Sequence, residues 1–143
     1  LGVIKIIADN IARKGGAALL IDYGYVEPIF KPSIQAVRAH KIVDPLSNPG
    51  TTDLSCHVDF QSITNEAQFY EINFHGPITQ GEFLTNMGIN ERAGSLKRGS
   101  TIQQSKDIDT AVKRLTDRKE MGQLFKIIGL TAKDSPLPPG FTN

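Results

Sequence analysis

The eleven residues from Gly15 to Tyr25, GGAALLIDYGY, constrain this chain more than any other stretch. Two glycines end whatever precedes them. Five apolar residues follow, Ala17 to Ile21, with no polar interruption, and the run stops on Asp22, Tyr23 and Gly24. Consecutive side chains of a strand point to opposite faces, so a strand that is apolar throughout fits a sheet covered on both sides. The stretch therefore predicts a buried strand of an α/β sheet. In open sheets of that kind, ligands collect beyond the carboxyl ends of the strands. Asp22 and Tyr23 sit at that end and are the first candidates for a site. A local role is equally open, because an aspartate there can simply hold a turn.

The flanking pattern agrees with alternating helices and strands. Leu1 to Lys14 reads as a helix, with Ile4, Ile7, Ala8 and Ile11 on one face, basic residues in the last turn and Gly15 as its cap. Residues 26–56 are broken by Pro28, Pro32, Pro45, Pro49 and Gly50, yet carry Ile29, Phe30, Ile42, Val43 and Leu46. That mixture predicts an ordered flap, with a helical turn from Ser33 to His40 and a turn at Asn48–Gly50. Asp59 is placed to cap a helix whose inner face is Phe60, Ile63 and Ala67. Phe69 to His75 alternates like a half-buried edge strand, ended by Gly76-Pro77. Thr79 and Glu82 form a capping-box pattern ahead of Phe83, Leu84 and Met87. Two further helices are predicted over a helical segment spanning 79–118, one capped by Asn90 and one starting at Ser105 or Asp107. Gly122 to Leu130 reads as the last strand. The proline-rich stretch 133–143 reads as a disordered tail.

Composition narrows the function classes. The chain has 143 residues, 39% apolar and 22% charged, with a formal net charge of +1. Such a balance leaves no electrostatic footprint for nucleic acid or an anionic membrane surface. No apolar run approaches the roughly 20 residues of a membrane-spanning helix. The single cysteine, Cys56, cannot form an internal disulfide and fits a cytoplasmic type of compartment. The chain opens inside an apolar helical pattern with no initiator methionine, which predicts a piece of a longer protein.

Candidate chemistry is sparse. His40, His57 and His75 stand 17 and 18 residues apart, outside metal-ligand spacing, and no metal is expected. Neither G-x-G-x-x-G nor G-K-[ST] occurs. Lys31, Arg38 and Lys41 make a loose basic cluster of the kind usually found on a solvated face. His57 and Asp59 flank a helix start that can share a cleft with Asp22, although capping already accounts for Asp59. From residues alone, the chain is an α/β domain with a cleft near Asp22, Tyr23 and His57.

Four separated motifs go further. GGAALLIDYGY, SIQAVRAHKIVDPLSNPGTTDLSCHVDF, GPITQGEFLTNMGINERA and RLTDRKEMGQLFKIIGL, in this order and spacing, resemble the C-terminal half of MidA-like S-adenosylmethionine-dependent methyltransferases. HVDF, GP-x-TQ and MG-x-x-FK together carry the likeness, over residues 3–132. The family includes a mitochondrial assembly factor that dimethylates an arginine on a respiratory complex I subunit. The resemblance implies the C-terminal part of a class I, Rossmann-like fold across 1–132. Ala17 to Tyr23, Gly122 to Leu130 and Phe69 to His75 would be its fifth, seventh and sixth strands. The seventh would run antiparallel between the other two.

The same resemblance implies S-adenosylmethionine as the cofactor of the parent protein and a protein arginine as acceptor, with a complex I subunit as one possible partner. Asp22 and His57 are then the catalytic candidates, and Tyr23, Gln80 and Asp59 the substrate-binding ones. The family's glycine-rich loop and ribose-binding acid fall upstream of residue 1, so the main cofactor residues are expected outside this chain. Two departures stand out: Lys31-Pro32 replaces a usual glycine and acidic residue, and Ser55-Cys56 replaces a usual Thr-Ala. The expected location is a bacterial cytoplasm, or alternatively the mitochondrial matrix. A competing reading is a non-catalytic interaction module or a gene fragment. The sheet order leaves one edge of Ala17 to Tyr23 without a neighbour, which a second copy could cover.

Overall fold

The computed structural model describes residues 1–28 and 32–142. Its elements, in chain order, are α1 (Gly2–Lys14), β1 (Ala17–Tyr25), β2 (Gln35–Arg38), β3 (Lys41–Val43), β4 (Asp53–Ser55), β5 (Val58–Asp59), α2 (Phe60–Ala67), β6 (Ile72–Thr79), α3 (Gln80–Asn86), α4 (Ile89–Lys97), α5 (Ile102–Thr116), α6 (Met121–Leu124) and β7 (Phe125–Ala132). The main sheet has the order β5-β1-β7-β6. β7 is antiparallel to both β1 and β6, from Ala17 opposite Thr131 to Tyr23 opposite Phe125, and from Ile72 opposite Ala132 to Thr79 opposite Lys126. The expected strand order is therefore present. β5 joins β1 in parallel only at Gly24–Val58 and Tyr25–Asp59. Among the described residues, positions 17–23 have no partner on that side.

The larger core cluster lies on one face of this sheet, and a smaller one, Phe83, Ile127 and Phe141, lies on the other. Ile4, Ala8 and Ile11 of α1 and Phe60, Ile63 and Ala67 of α2 pack on Ile72, Ile128 and Leu130. These are the faces that the helical spacing marked. β7 is buried on both sides, as a central strand should be, with Ile127, Ile128 and Leu130 at 1% exposure or less. β1 departs from its expectation. Ala18 and Leu20 join the core, but Leu19 and Ile21 on the opposite face remain 49% exposed. The strand is apolar on both faces but covered on one.

Several local expectations are corrected. Ser33 to His40 is no helical turn. Gln35–Arg38 is a strand, joined to β3 by a turn at Ala39 and His40 with φ of 46° and 60°. Two consecutive left-handed residues make the turn whose twist suits a two-residue hairpin. β4 pairs on the other side of β2, giving a small antiparallel sheet of order β3-β2-β4 within the flap. The flap residues Ile29, Phe30 and Lys31 lie outside the described residues, as does Asn143 of the tail. Gly76-Pro77 does not end its strand. β6 begins at Ile72, passes a bulge between His75 and Ile78, and runs on to Thr79, while Phe69 is 83% exposed before it. α4 starts after Gly88 rather than Asn90. α5 starts at Ile102, where Thr101 and Gln104 form the full capping box. Gly122 to Leu124 belongs to α6, so β7 starts at Phe125.

The tail is the largest correction. Phe141 is only 6% exposed, and its ring packs against Phe83 (5.4 Å) and His75 (5.8 Å). Asn86 donates to the Gly140 carbonyl at 3.0 Å. Polar and proline-rich composition hid one apolar anchor that docks on α3 and the back of β7.

Candidate functional site

The parallel strands β1, β5 and β6 all end on the same side of the sheet, because β1 and β6 each oppose β7 and β5 runs with β1. That end collects most of the candidate residues. Register explains how. Gly24 is level with Val58, so His57 is level with Tyr23. Alternation sends Val58 toward the α1–α2 core and His57 to the other face, where Tyr23 and its cross-strand partner Phe125 also lie. The result is a row of three rings. Tyr23 meets His57 edge-on at 5.7 Å and Phe125 edge-on at 5.8 Å, each at 75°. Such edge-to-face pairs add a modest stabilisation of about 0.5–1.5 kcal/mol each beyond burial and fix ring orientation.

Gly24 makes this approach possible. A Cβ at that position would lie 2.2 Å from the Val58 carbonyl and 2.9 Å from the Phe60 ring. A glycine inside a strand marks close approach of another backbone, here that of β5. Asp22, two residues earlier, is half-buried on the α1–α2 face of the same strand end. Its Oδ1 accepts from the Tyr23 amide at 2.8 Å, and its Oδ2 has no partner among the described residues. Lys126 is its cross-strand partner. The Lys126 ammonium donates to the Gln123 carbonyl, and burial holds its pKa below the usual lysine value.

Asp59 and Gln80 are committed within the chain. Asp59 caps α2, with Oδ1 accepting from the Ser62 amide (3.1 Å) and Oδ2 from the Ser62 hydroxyl (2.6 Å). Gln80 is 8% exposed, and its amide donates to the Leu115 carbonyl at 2.9 Å, tying the start of α3 to the end of α5. It stands at the end of β6, beside a polar cleft of about 370 Å³ that includes Thr79, Glu82, Arg118 and Gln123. The expected five thus divide. Tyr23 and His57 come together on one face of the strand end, Asp22 stands on the other face, Asp59 caps α2 next to His57, and Gln80 is a brace two strands away.

Three neighbours escaped the sequence reading. Phe125 looked like one apolar residue among many. Its place became visible only through the β1–β7 register. Gly24 carried a signal, a glycine followed by Tyr25 within a continuing strand pattern. Ser33 carried none: its hydroxyl accepts from the His57 amide at 3.4 Å, linking the flap to the ring row. Among the described residues, no group of three or more His, Cys, Asp or Glu side chains is arranged to hold a metal, and no helix is long and apolar enough to cross a membrane.

The geometry has close counterparts. Residues 1–78 match the family profile Methyltransf_28, described as S-adenosyl-L-methionine-dependent methyltransferase. Curated relatives include the mitochondrial protein arginine methyltransferase NDUFAF7 of Xenopus tropicalis, 37% identical over 96% of this chain and 32% of its own length. The mitochondrial homolog from Caenorhabditis elegans is 39% identical over 94% of this chain and 28% of its own. The human protein is 33% identical over 90% and 29%. Among solved structures, a COG1565 superfamily protein of Burkholderia thailandensis bound to S-adenosyl-homocysteine superposes with a TM-score of 0.84. It is 25% identical and covers 99% of this chain and 38% of its own. The chain therefore spans about a third of the curated relatives it matches. With these motifs, this sheet order and these relatives, the chain belongs to the S-adenosyl-L-methionine-dependent methyltransferase family.

Proposed function

We propose that this chain is the C-terminal portion of a methyltransferase that methylates a protein arginine, and that the end of β1 forms its acceptor side. The placement of Asp22 on one face of the β1 end and of Tyr23 with His57 on the other, all at the ligand end of the sheet, carries the reading. Names of the curated relatives support the arginine acceptor, and the resemblance to the family of the mitochondrial complex I assembly methyltransferase supports a respiratory complex I subunit as partner.

The cofactor fits this chain only in part. A bound nucleoside needs backbone amides at a tight glycine turn and a carboxylate for its ribose. Residues 1–143 contain no G-x-G-x-x-G. S-adenosylmethionine supplies an electrophilic methyl group, and the groups here prepare the nucleophile that meets it. The free oxygen of Asp22 accepts from a guanidinium, orienting one nitrogen and stabilising the positive charge that the acceptor keeps. Tyr23, held between His57 and Phe125, forms a rigid wall on the opposite face of the strand end. Such walls exclude water from the transfer. His57 is the group placed to take up the proton released on methylation, at an imidazole nitrogen beside the Tyr23 ring. Asp59 and Gln80 support this arrangement through the α2 cap and the α3–α5 brace.

The test uses the full-length protein with its upstream region, radiolabelled S-adenosylmethionine and a respiratory complex I extract. Asp22→Asn is expected to lower turnover by on the order of a hundredfold while the melting temperature stays within a few degrees. Methylarginine in the product, found by mass spectrometry, supports the reading. A methylated lysine or carboxylate, or an Asp22→Asn enzyme at full speed, overturns it.

A second reading, a non-catalytic module, draws on the open edge of β1 among the described residues. Its exposed β1 edge and the uncovered Leu19 and Ile21 would then meet a second copy of the chain. As to location, we place the protein in the mitochondrial matrix or a bacterial cytoplasm, in line with the mitochondrial relatives and the bacterial neighbours.

A further inference from the structure

The flap sheet stands apart from the rest of the molecule. β2 pairs with β3 and β4, and the sheet packs closely on no other element among the described residues. Its roots are nevertheless at the site: the flap leaves from the end of β1 and returns at β5, and Ser33 holds the amide of His57. Four large apolar side chains on it are open to solvent, Ile34 at 60%, Ile42 at 80%, Leu46 at 88% and Leu54 at 63%.

The tip carries a feature that costs stability. Arg38 and Lys41 are direct cross-strand partners, both exposed, and among the described residues neither joins an ion pair. Like charges placed directly opposite destabilise an antiparallel pair. The intervening Ala39 and His40 both adopt left-handed backbone without being glycine or asparagine, a further cost. Register sets Arg38 and Lys41 on the same face as Ile34, Ala36, Val43 and Leu54. One face of the flap thus carries exposed Ile34 and Leu54 on either side of a buried Ala36 and ends in two cations with no ion-pair partner among the described residues, a pattern complementary to a segment with apolar and acidic residues.

We propose that this face docks the protein substrate, taking an extended acidic segment near the target arginine, with Arg38 and Lys41 pairing its carboxylates and Ile34 and Leu54 meeting its apolar side chains. The proposal rests on the methyltransferase reading for the identity of the partner as a substrate. It gives the like-charged pair at the flap tip a counter-charge, on a projection rooted at the candidate acceptor site.

The full-length protein is titrated into two labelled short peptides, each with a central arginine, one flanked by Glu and Leu and one by Lys and Leu. Fluorescence anisotropy at low and high salt reads binding, and calorimetry with S-adenosyl-homocysteine reads the cofactor site separately. The acidic peptide is expected to bind more tightly, with an affinity that falls as salt rises. Arg38→Glu with Lys41→Glu is expected to weaken it about tenfold, leaving S-adenosyl-homocysteine affinity unchanged. If that double variant loses cofactor affinity as well, Arg38→Gln with Lys41→Gln replaces it, with the same expectation at smaller size. Equal binding of the two peptides, an unaffected charge-reversal variant, or tighter binding of a labelled oligonucleotide overturns the proposal. Failure of the wild-type protein to bind S-adenosyl-homocysteine sinks the methyltransferase reading instead, and the peptide preference still decides whether the flap binds acidic chains.

Discussion

Gly24→Ala tests whether the ring row depends on close approach of β5 to β1. The backbone at Gly24 lies outside the left-handed region, so alanine is conformationally acceptable there and the effect is purely steric. Its Cβ would stand 2.2 Å from the Val58 carbonyl and 2.9 Å from two atoms of the Phe60 ring. The carbonyl cannot retreat without opening the Gly24–Val58 pair, and Phe60 is 1% exposed in the core with no free space to enter. Overpacking of this kind costs about 1–3 kcal/mol, and a lost ladder hydrogen bond adds about 1 kcal/mol. Together they come to about 2–4 kcal/mol. A chain of 143 residues loses about 0.3 kcal/mol per degree near its midpoint. Melting followed by circular dichroism should therefore fall by about 7–13 °C. Gly94→Ala is the control. It lies within α4, and a Cβ there meets nothing within 4 Å. That variant should gain about 0.5–1 kcal/mol from helix propensity. If Gly24→Ala melts like the parent while amide resonances of Val58 and Asp59 stay in place, β5 does not depend on this contact. The placement of His57 against Tyr23 then needs another cause.

Phe141→Ala should destabilise the chain by about 3 kcal/mol, since the ring is 6% exposed against Phe83 and His75. Denaturant titration showing no change would mean the tail is not docked in solution. Burial holds the His75 pKa below its ordinary value of 6.5, so the unfolded chain binds a proton that the folded chain refuses. Stability contributed by neutral His75 is whole above pH 6.5 and declines as pH falls toward the folded value. His75→Gln should flatten that part of a stability–pH profile, and an unchanged slope would refute the assignment. Titration calorimetry of S-adenosylmethionine into this chain alone should register negligible heat, because no glycine-rich loop is present. Micromolar binding would place cofactor residues within 1–143.

Elements governed by nearest neighbours were legible in the sequence. The faces of α1 and α2 follow from helical spacing, and Asp59 caps α2 because its carboxylate can reach amides three residues on. The insertion of β7 between β1 and β6 was not local information. It came from the resemblance, with the two-sided apolar character of Leu124 to Ile128 in support. The flap was misread for a definite reason. Ser33 to His40 has weak helical spacing, whereas the hairpin depends on Ala39 and His40 entering a left-handed turn that neither residue advertises. The tail differs from its expectation because one aromatic anchor, Phe141, outweighs a mostly polar and proline-rich surrounding sequence. Of the site, Asp22 and Tyr23 were marked by the strand end, but the meeting of His57, Tyr23 and Phe125 depends on two registers that no single stretch encodes.

The half-covered β1 strand bears on how such sequences should be read. An uninterrupted apolar run predicts burial on both faces, and only the α1–α2 face of β1 is covered among the described residues. Leu19 and Ile21 nonetheless keep large apolar side chains in solvent, Leu19 beside a groove of about 270 Å³ lined by Phe83, Met87, Gly129 and Phe141. Leaving about half of each side chain in water forgoes about 0.7–1.5 kcal/mol apiece relative to full burial. The adjoining edge of β1 also presents unpaired backbone groups over residues 17–23 among the described residues, a combination that invites association. Both features are consistent with a strand whose composition reflects burial in a protein about three times longer, the length of its curated relatives. The apolar run of Ala17 to Ile21 thus exceeds what the described residues cover, and it stops at Asp22 and Tyr23, where the strand reaches its ligand-side end.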